Sequence, residues 1–153
     1  MDWDNPVAFS TPVGSIGEAQ QSLGFTIYVP KNIGDPGRVV ISDPNQIQQT
    51  EDRVVALIYD LPAYGRVVVE EEIPQIPPQE FDSSMNQLLA LNGQADVHGT
   101  FGVASIRGGT NGYTTTSADG SASDIRWIEG GFEVLVRGPN LNLVQVVALA
   151  QLI

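Results

Sequence analysis

The sequence predicts an α+β domain: one antiparallel β-sheet laid down as a meander, with a short helix near its beginning and another helix closing it. Three observations carry this expectation. Segments rich in β-branched residues recur with period-two patterning, separated by Gly, Pro and Asn-Gly punctuation. The links between them, such as LPAYG, are too short for the helical crossovers that parallel strands need. Two capping-box spacings, Ser15 with Glu18 and Asn142 with Gln145, mark where helices start.

In chain order, residues 1–13 read as an irregular, proline-containing leader. GSIGEAQQSLGF then predicts a helix over about residues 16–23, closed by Gly24 in the left-handed conformation. FTIYVP switches to period two and predicts a strand ended by Pro30. RVVIS (38–42), RVVALIYD (53–60) and RVVVEEE (66–72) continue the strand series. The proline-dense run over 73–81 predicts an extended connection, and SSMNQLLAL a brief helix capped by Asp82 or Ser83. VHGTFGVASIR, GYTTTSA, SDIRWIE and FEVLVRG resume the strands. Gly130-Gly131 supplies the tight turn between the last two, and Phe132, Val134 and Val136 are expected on one sheet face with Ile125 and Trp127 opposite them across the hairpin.

The thirteen residues from Leu141 to Ile153 are almost wholly apolar. As a helix they reach about 20 Å, whereas a bilayer core takes about 20 residues, so they do not predict a membrane span. With Asn142 as cap they predict a helix buried as core, in the concave face of a curved sheet, rather than a partner-binding or membrane-surface helix.

The chain of 153 residues fits a single domain over 1–153. Eighteen acidic residues stand against seven basic ones, giving a formal net charge of -11. The cations are scattered at Lys31, Arg38, Arg53, Arg66, Arg107, Arg126 and Arg137. Nucleic acid is therefore excluded as a partner, and an anionic membrane surface is repelled likewise. No cysteine is present, which removes thiol catalysis and cysteine-ligated zinc. The sequence predicts no cofactor.

Candidate chemistry is sparse. His98 is the one histidine; a general base is conceivable, but no nucleophile elbow accompanies it, and a packing or strand-edge role is expected. Glu70, Glu71 and Glu72 offer carboxylates, of which Glu70 and Glu72 share a side, and a solvated strand edge is the expected reading. Asp119 and Asp124 in SADGSASD lack calcium-loop spacing, so ADGS reads as a hairpin turn. GGTNG lacks the lysine of a phosphate loop. Tyr59, Phe101, Tyr113 and Trp127 remain open between half-buried strand residues and the lining of an apolar ligand site.

Taken together, the capped helix, the F-x-I-x-x-P segment, the meander, H-G-x-x-G-x-A, W-x-E-G-G-F-E-V and the closing helix form a series. It resembles uncharacterised domains at the extracytoplasmic end of membrane-anchored anti-sigma factors and bacterial lipoproteins, similar in turn to the LolA-like lipoprotein carriers. Phe25, Pro30, Gly99, Gly102, Trp127, Glu129, Gly138 and the helix from Asn142 to Ile153 carry the resemblance. It implies a strongly bent antiparallel sheet with helices on its concave face, an export signal or anchor upstream of this chain, and no catalytic residues. The function expected is a non-enzymatic, extracytoplasmic sensory or ligand-binding module. Its partner would be an apolar ligand or a hydrophobic protein held between sheet and closing helix, without direct membrane insertion by this chain. The alternative is a structural or protein-interaction domain whose core its own helix fills.

Overall fold

The computed structural model describes residues 2–49, 52–92 and 99–153. Its elements are β1 (Ser10–Val13), α1 (Ile16–Leu23), β2 (Arg38–Ser42), β3 (Val54–Leu61), β4 (Gly65–Glu72), α2 (Phe81–Asn92), β5 (Thr100–Arg107), β6 (Thr110–Thr116), β7 (Ser123–Glu129), β8 (Phe132–Arg137) and α3 (Leu143–Leu152). Among the described residues eight strands form one antiparallel sheet in the order β1-β2-β3-β4-β8-β7-β6-β5. The fold is α+β, and the sheet is open at β1 and β5. Two four-stranded meanders run from opposite edges and meet where β4 pairs with β8, Val69 opposite Val136. β4 is thus a central strand.

One sheet face carries the main core. Leu57, Tyr59, Val69, Ile125, Trp127, Val134 and Val136 pack there with Ala19 and Leu23 of α1 and Val146, Leu149 and Ala150 of α3. Both helices begin as their sequences predict. Ser15 accepts from the Glu18 N–H at 3.1 Å, although the Glu18 carboxylate reaches one residue further back, to the Gly14 N–H at 2.8 Å. Asn142 and Gln145 form the full reciprocal box at 3.0 and 2.9 Å. Arg53 donates to the Leu23 carbonyl and Arg107 to the Ala150 carbonyl, so each helix end meets a cation where its dipole favours one.

The other face is covered over its β2–β4 half by the leader. Trp3 and Val7 pack on Val40, Ala56, Ile58 and Val68. Three arginines hold it: Arg38 donates to the Asp4 carbonyl, Arg66 to the Trp3 carbonyl, and Arg137 to the Pro6 carbonyl, with its guanidinium 5.9 Å from the Trp3 ring centroid. The expectation of an irregular leader over 1–13 is corrected at Ser10–Val13, which pairs with β2.

Three further expectations are corrected. Residues 25–30 carry no strand pairing; the Ile27 N–H donates to the Gln20 side chain at 3.0 Å and the Tyr28 N–H to Glu71 at 2.6 Å. Side-chain acceptors replace a neighbouring strand there. The connection over 73–81 ends in a 3-10 turn at Pro78–Glu80, and α2 starts at Phe81, so Asp82 and Ser83 lie inside the helix rather than at its cap. The glutamates of β4 are not a solvated edge: Glu71 is fully buried and Glu70 is 9% exposed. Local composition made them look like a strand end at solvent, but pairing with β8 places them mid-sheet. Gly130 and Gly131, with φ of 58° and 88°, turn β7 into β8 as expected. Asp119 organises the 117–121 turn, accepting from Ser117 and Ser121.

Candidate functional site

The four aromatic candidates are not brought together. Register and period two put Tyr59 and Trp127 on the helix-bearing face, and Tyr113 and Phe101 on the opposite one. Trp127 and Tyr59 are fully enclosed, so both are core side chains. Tyr113 is buried, its ring edge-on to Phe81 at 5.7 Å and its hydroxyl donating to Asp82 at 2.7 Å. Burial, with that carboxylate second, pushes its hydroxyl up to about 12. Phe101 alone is half-buried, on the edge strand β5. His98 lies outside the described residues.

The titratable groups sequence reasoning set aside lie at the centre of the sheet. Glu71 projects to the helix-bearing side between Val55 and Val134. One of its oxygens accepts from Tyr28, and the other has no protein partner among the described residues. Burial pushes its carboxyl up to about 8, so it is predominantly a neutral acid at pH 7. The Tyr59 hydroxyl and the Trp127 indole N–H on the same face also lack protein partners among the described residues. Burial first and Glu71 second hold the Tyr59 hydroxyl well above the ordinary phenol range.

Glu70 and Glu72 project to the other face. Glu70 is hydrogen-bonded to Arg137, yet burial still raises its carboxyl above the ordinary range. Glu72 stands opposite Glu133 on β8, which is paired with Arg126 at 3.2 Å. Burial, then the charges of Glu133 and Glu70, push Glu72 up to about 7. Asp124, further along this face, is raised by burial as well.

A cavity of about 400 Å³ opens on this side. Its walls are the leader from Pro6 to Phe9 and loop residues Asp43, Gln46, Ile47 and Asp52; its floor is Glu70, Glu72, Val54 and Arg137. Phe9 stands at its rim, 73% exposed and with φ of 53°, in the left-handed region that an aromatic residue seldom adopts. No family model, curated protein or solved structure matches the chain. The cavity is therefore read from its own chemistry.

That chemistry is acid-rich and half apolar. All six arginines of the chain are engaged in capping, strapping or ion-pairing contacts, so the surplus carboxylates have few internal counter-charges. Among the described residues no group of three or more acidic or histidine side chains is placed to hold a metal ion, and no helix is long and apolar enough to cross a membrane. Sequence reasoning missed Phe9, Glu70, Glu72 and Asp52 as neighbours. A carboxylate run inside a β-branched strand was the one available signal, and its meaning turns on which strand lies alongside.

Proposed function

We propose that this chain is a non-enzymatic binding domain that fills its concave, helix-bearing face with its own side chains and binds on the opposite face of a curved sheet. The observation that carries the reading is the cavity of about 400 Å³ under the leader, within the size range of small-molecule sites. The burial of Val146, Leu149 and Ala150 against Trp127 supports α3 as core rather than lid. That favours the self-filled interaction domain over a carrier holding an apolar ligand between sheet and helix. An extracytoplasmic location, with an anchor upstream, belongs to the proposal through the resemblance to anti-sigma-factor and lipoprotein domains.

Backbone NMR shift mapping with a mixed library of small fragments tests the reading. Shifts grouped at Phe9, Asp43, Asp52 and Glu72 are expected. Shifts grouped at Trp127, Tyr59 and Leu149 overturn it in favour of the groove beneath α3, and a spectrum indifferent to every fragment overturns binding altogether.

A further inference from the structure

The two open edges of the sheet are guarded unequally. β1 has four residues, and its Pro12 offers no N–H to a neighbouring strand. β5 has eight, with no proline and no charge before Arg107. Among the described residues no strand pairs with its outer side, and Gln151 of α3 donates to the Ser105 carbonyl at 3.1 Å. The one register shift in β5, between Ser105 and Arg107, falls at that same end, so Thr100–Ala104 stays regular.

The surroundings of this edge are apolar on both faces of the sheet. α2 and α3 both pack against β5, α2 from the side of Tyr113, where Phe81 stacks, and α3 from the side of Ile106. Six of the eight large apolar side chains exposed among the described residues belong to these three elements: Leu88 and Leu91 on α2, Val103 on β5, and Leu143, Val144 and Leu152 on α3. Leu91 is 82% exposed and Val103 52%. Val144 lies about two turns before Gln151 and so shares the side of α3 that reaches the edge.

Free charge is missing from the same surface. α3 carries none, Arg107 is held by Glu129 and the Ala150 carbonyl, and Asp82 of α2 accepts from Tyr113. In a chain of net charge -11, a neutral apolar surface suits a neutral apolar partner, and a copy of itself is one.

We propose that β5 is a dimer edge: a second copy of this chain pairs antiparallel with Thr100–Ala104 about a two-fold axis at Gly102, perpendicular to the sheet, and continues it. Such an axis keeps each face on its own side, so α3 approaches its counterpart on one face and α2 on the other. A lone extended peptide would satisfy the edge backbone but leave the helical side chains exposed on both faces, which favours the second copy. The proposal is independent of the cavity under the leader.

Sedimentation equilibrium of the full chain tests it. A concentration-dependent monomer–dimer equilibrium is expected, tighter at about 0.5 M than at about 0.15 M salt, because screening relieves the repulsion between two acidic bodies and no ion pair crosses the interface. Val103→Lys places a charge on the edge and is expected to weaken association by about tenfold or more. Gln21→Lys adds the same charge on α1, over the opposite edge, and leaves association unchanged. Hydrogen exchange of the wild type gives a second reading, in which the amides of Thr100–Ala104 gain protection as protein concentration rises. A chain that stays monomeric up to about 1 mM overturns the proposal; so does a dimer indifferent to Val103→Lys, or one that leaves the β5 amides unprotected. An acetylated, amidated peptide copying Thr100–Arg107 that binds an otherwise monomeric chain overturns the second copy and assigns the edge to an extended segment of another protein.

Discussion

The Tyr28 backbone N–H donates to the Glu71 carboxyl at 2.6 Å, tying a segment that has no strand pairing to the middle of the sheet. The same tyrosine donates its hydroxyl to the Ile153 carbonyl at 2.6 Å, so one residue links the 25–30 segment, β4 and the end of α3. A neutral carboxyl can serve this bond inside the core; an ionised one places a charge there whose second oxygen has no protein partner among the described residues.

Stability is therefore expected to fall as pH rises. The folded-state value of Glu71, about 8, lies above the ordinary carboxyl value, so the folded state holds the proton that the unfolded chain releases. Its contribution is complete below the unfolded value near 4.5 and is lost as pH climbs to about 8, at a slope of at most about 1.4 kcal/mol per pH unit for one group. Glu71→Gln keeps the acceptor for Tyr28 without the ionisation. Thermal melts of the variant are expected to exceed wild type at pH 8 and converge with it at pH 4.5; parallel profiles would refute the assignment.

Arg137 links Glu70, the Pro6 carbonyl and the Trp3 ring. Arg137→Ala leaves the Glu70 carboxylate buried without its cation, a change that typically costs about 3–5 kcal/mol. Adding Glu70→Gln to Arg137→Ala is expected to recover part of the loss in urea unfolding. An additive double variant would show that the two side chains are not coupled.

If α3 is core, its two sides respond differently. Leu149 is wholly buried, and Leu149→Ala is expected to cost about 2–5 kcal/mol. Val144 is 78% exposed, and Val144→Ser is expected to change stability by about 0.5 kcal/mol or less. Chemical denaturation of the pair decides it, with equal effects counting against α3 as a fixed core element.

Gly138 has no room for a side chain: a Cβ there would lie 2.3 Å from the Arg66 carbonyl oxygen. Gly138→Ala must push β4 and the chain after β8 apart, at a cost of about 1–3 kcal/mol. Gly108 faces open space, and Gly108→Ala is the matched control, expected to be near neutral by calorimetry.

The features legible in the sequence are those whose causes lie within a few residues. Asn142 reaches Gln145 three positions on, Gly130-Gly131 closes its own hairpin, and the Trp127–Val134 pairing follows from that turn with period two. The misread features depend on distant neighbours. FTIYVP has the alternation of a strand, but the acceptors that meet it are the Gln20 and Glu71 side chains. The glutamates of β4 took their meaning from β8, and the leader from Arg137, more than a hundred residues away. Composition likewise singled out Tyr59, Phe101, Tyr113 and Trp127 as aromatics in strands, with no means of dividing them between two faces.

By itself the sequence determined the antiparallel α+β class, the positions of most strands and the starts of α1 and α3, because hydrogen-bond caps, turn conformations and side-chain alternation are local properties of the chain. Only the tertiary structure decided that β4 and β8 meet at the sheet centre, that Glu71 is sealed in the core, and that Phe9 and Glu72 share a cavity. Those outcomes arise from pairing and burial between segments far apart in sequence, where no local preference selects the partner and desolvation sets the state of every charge.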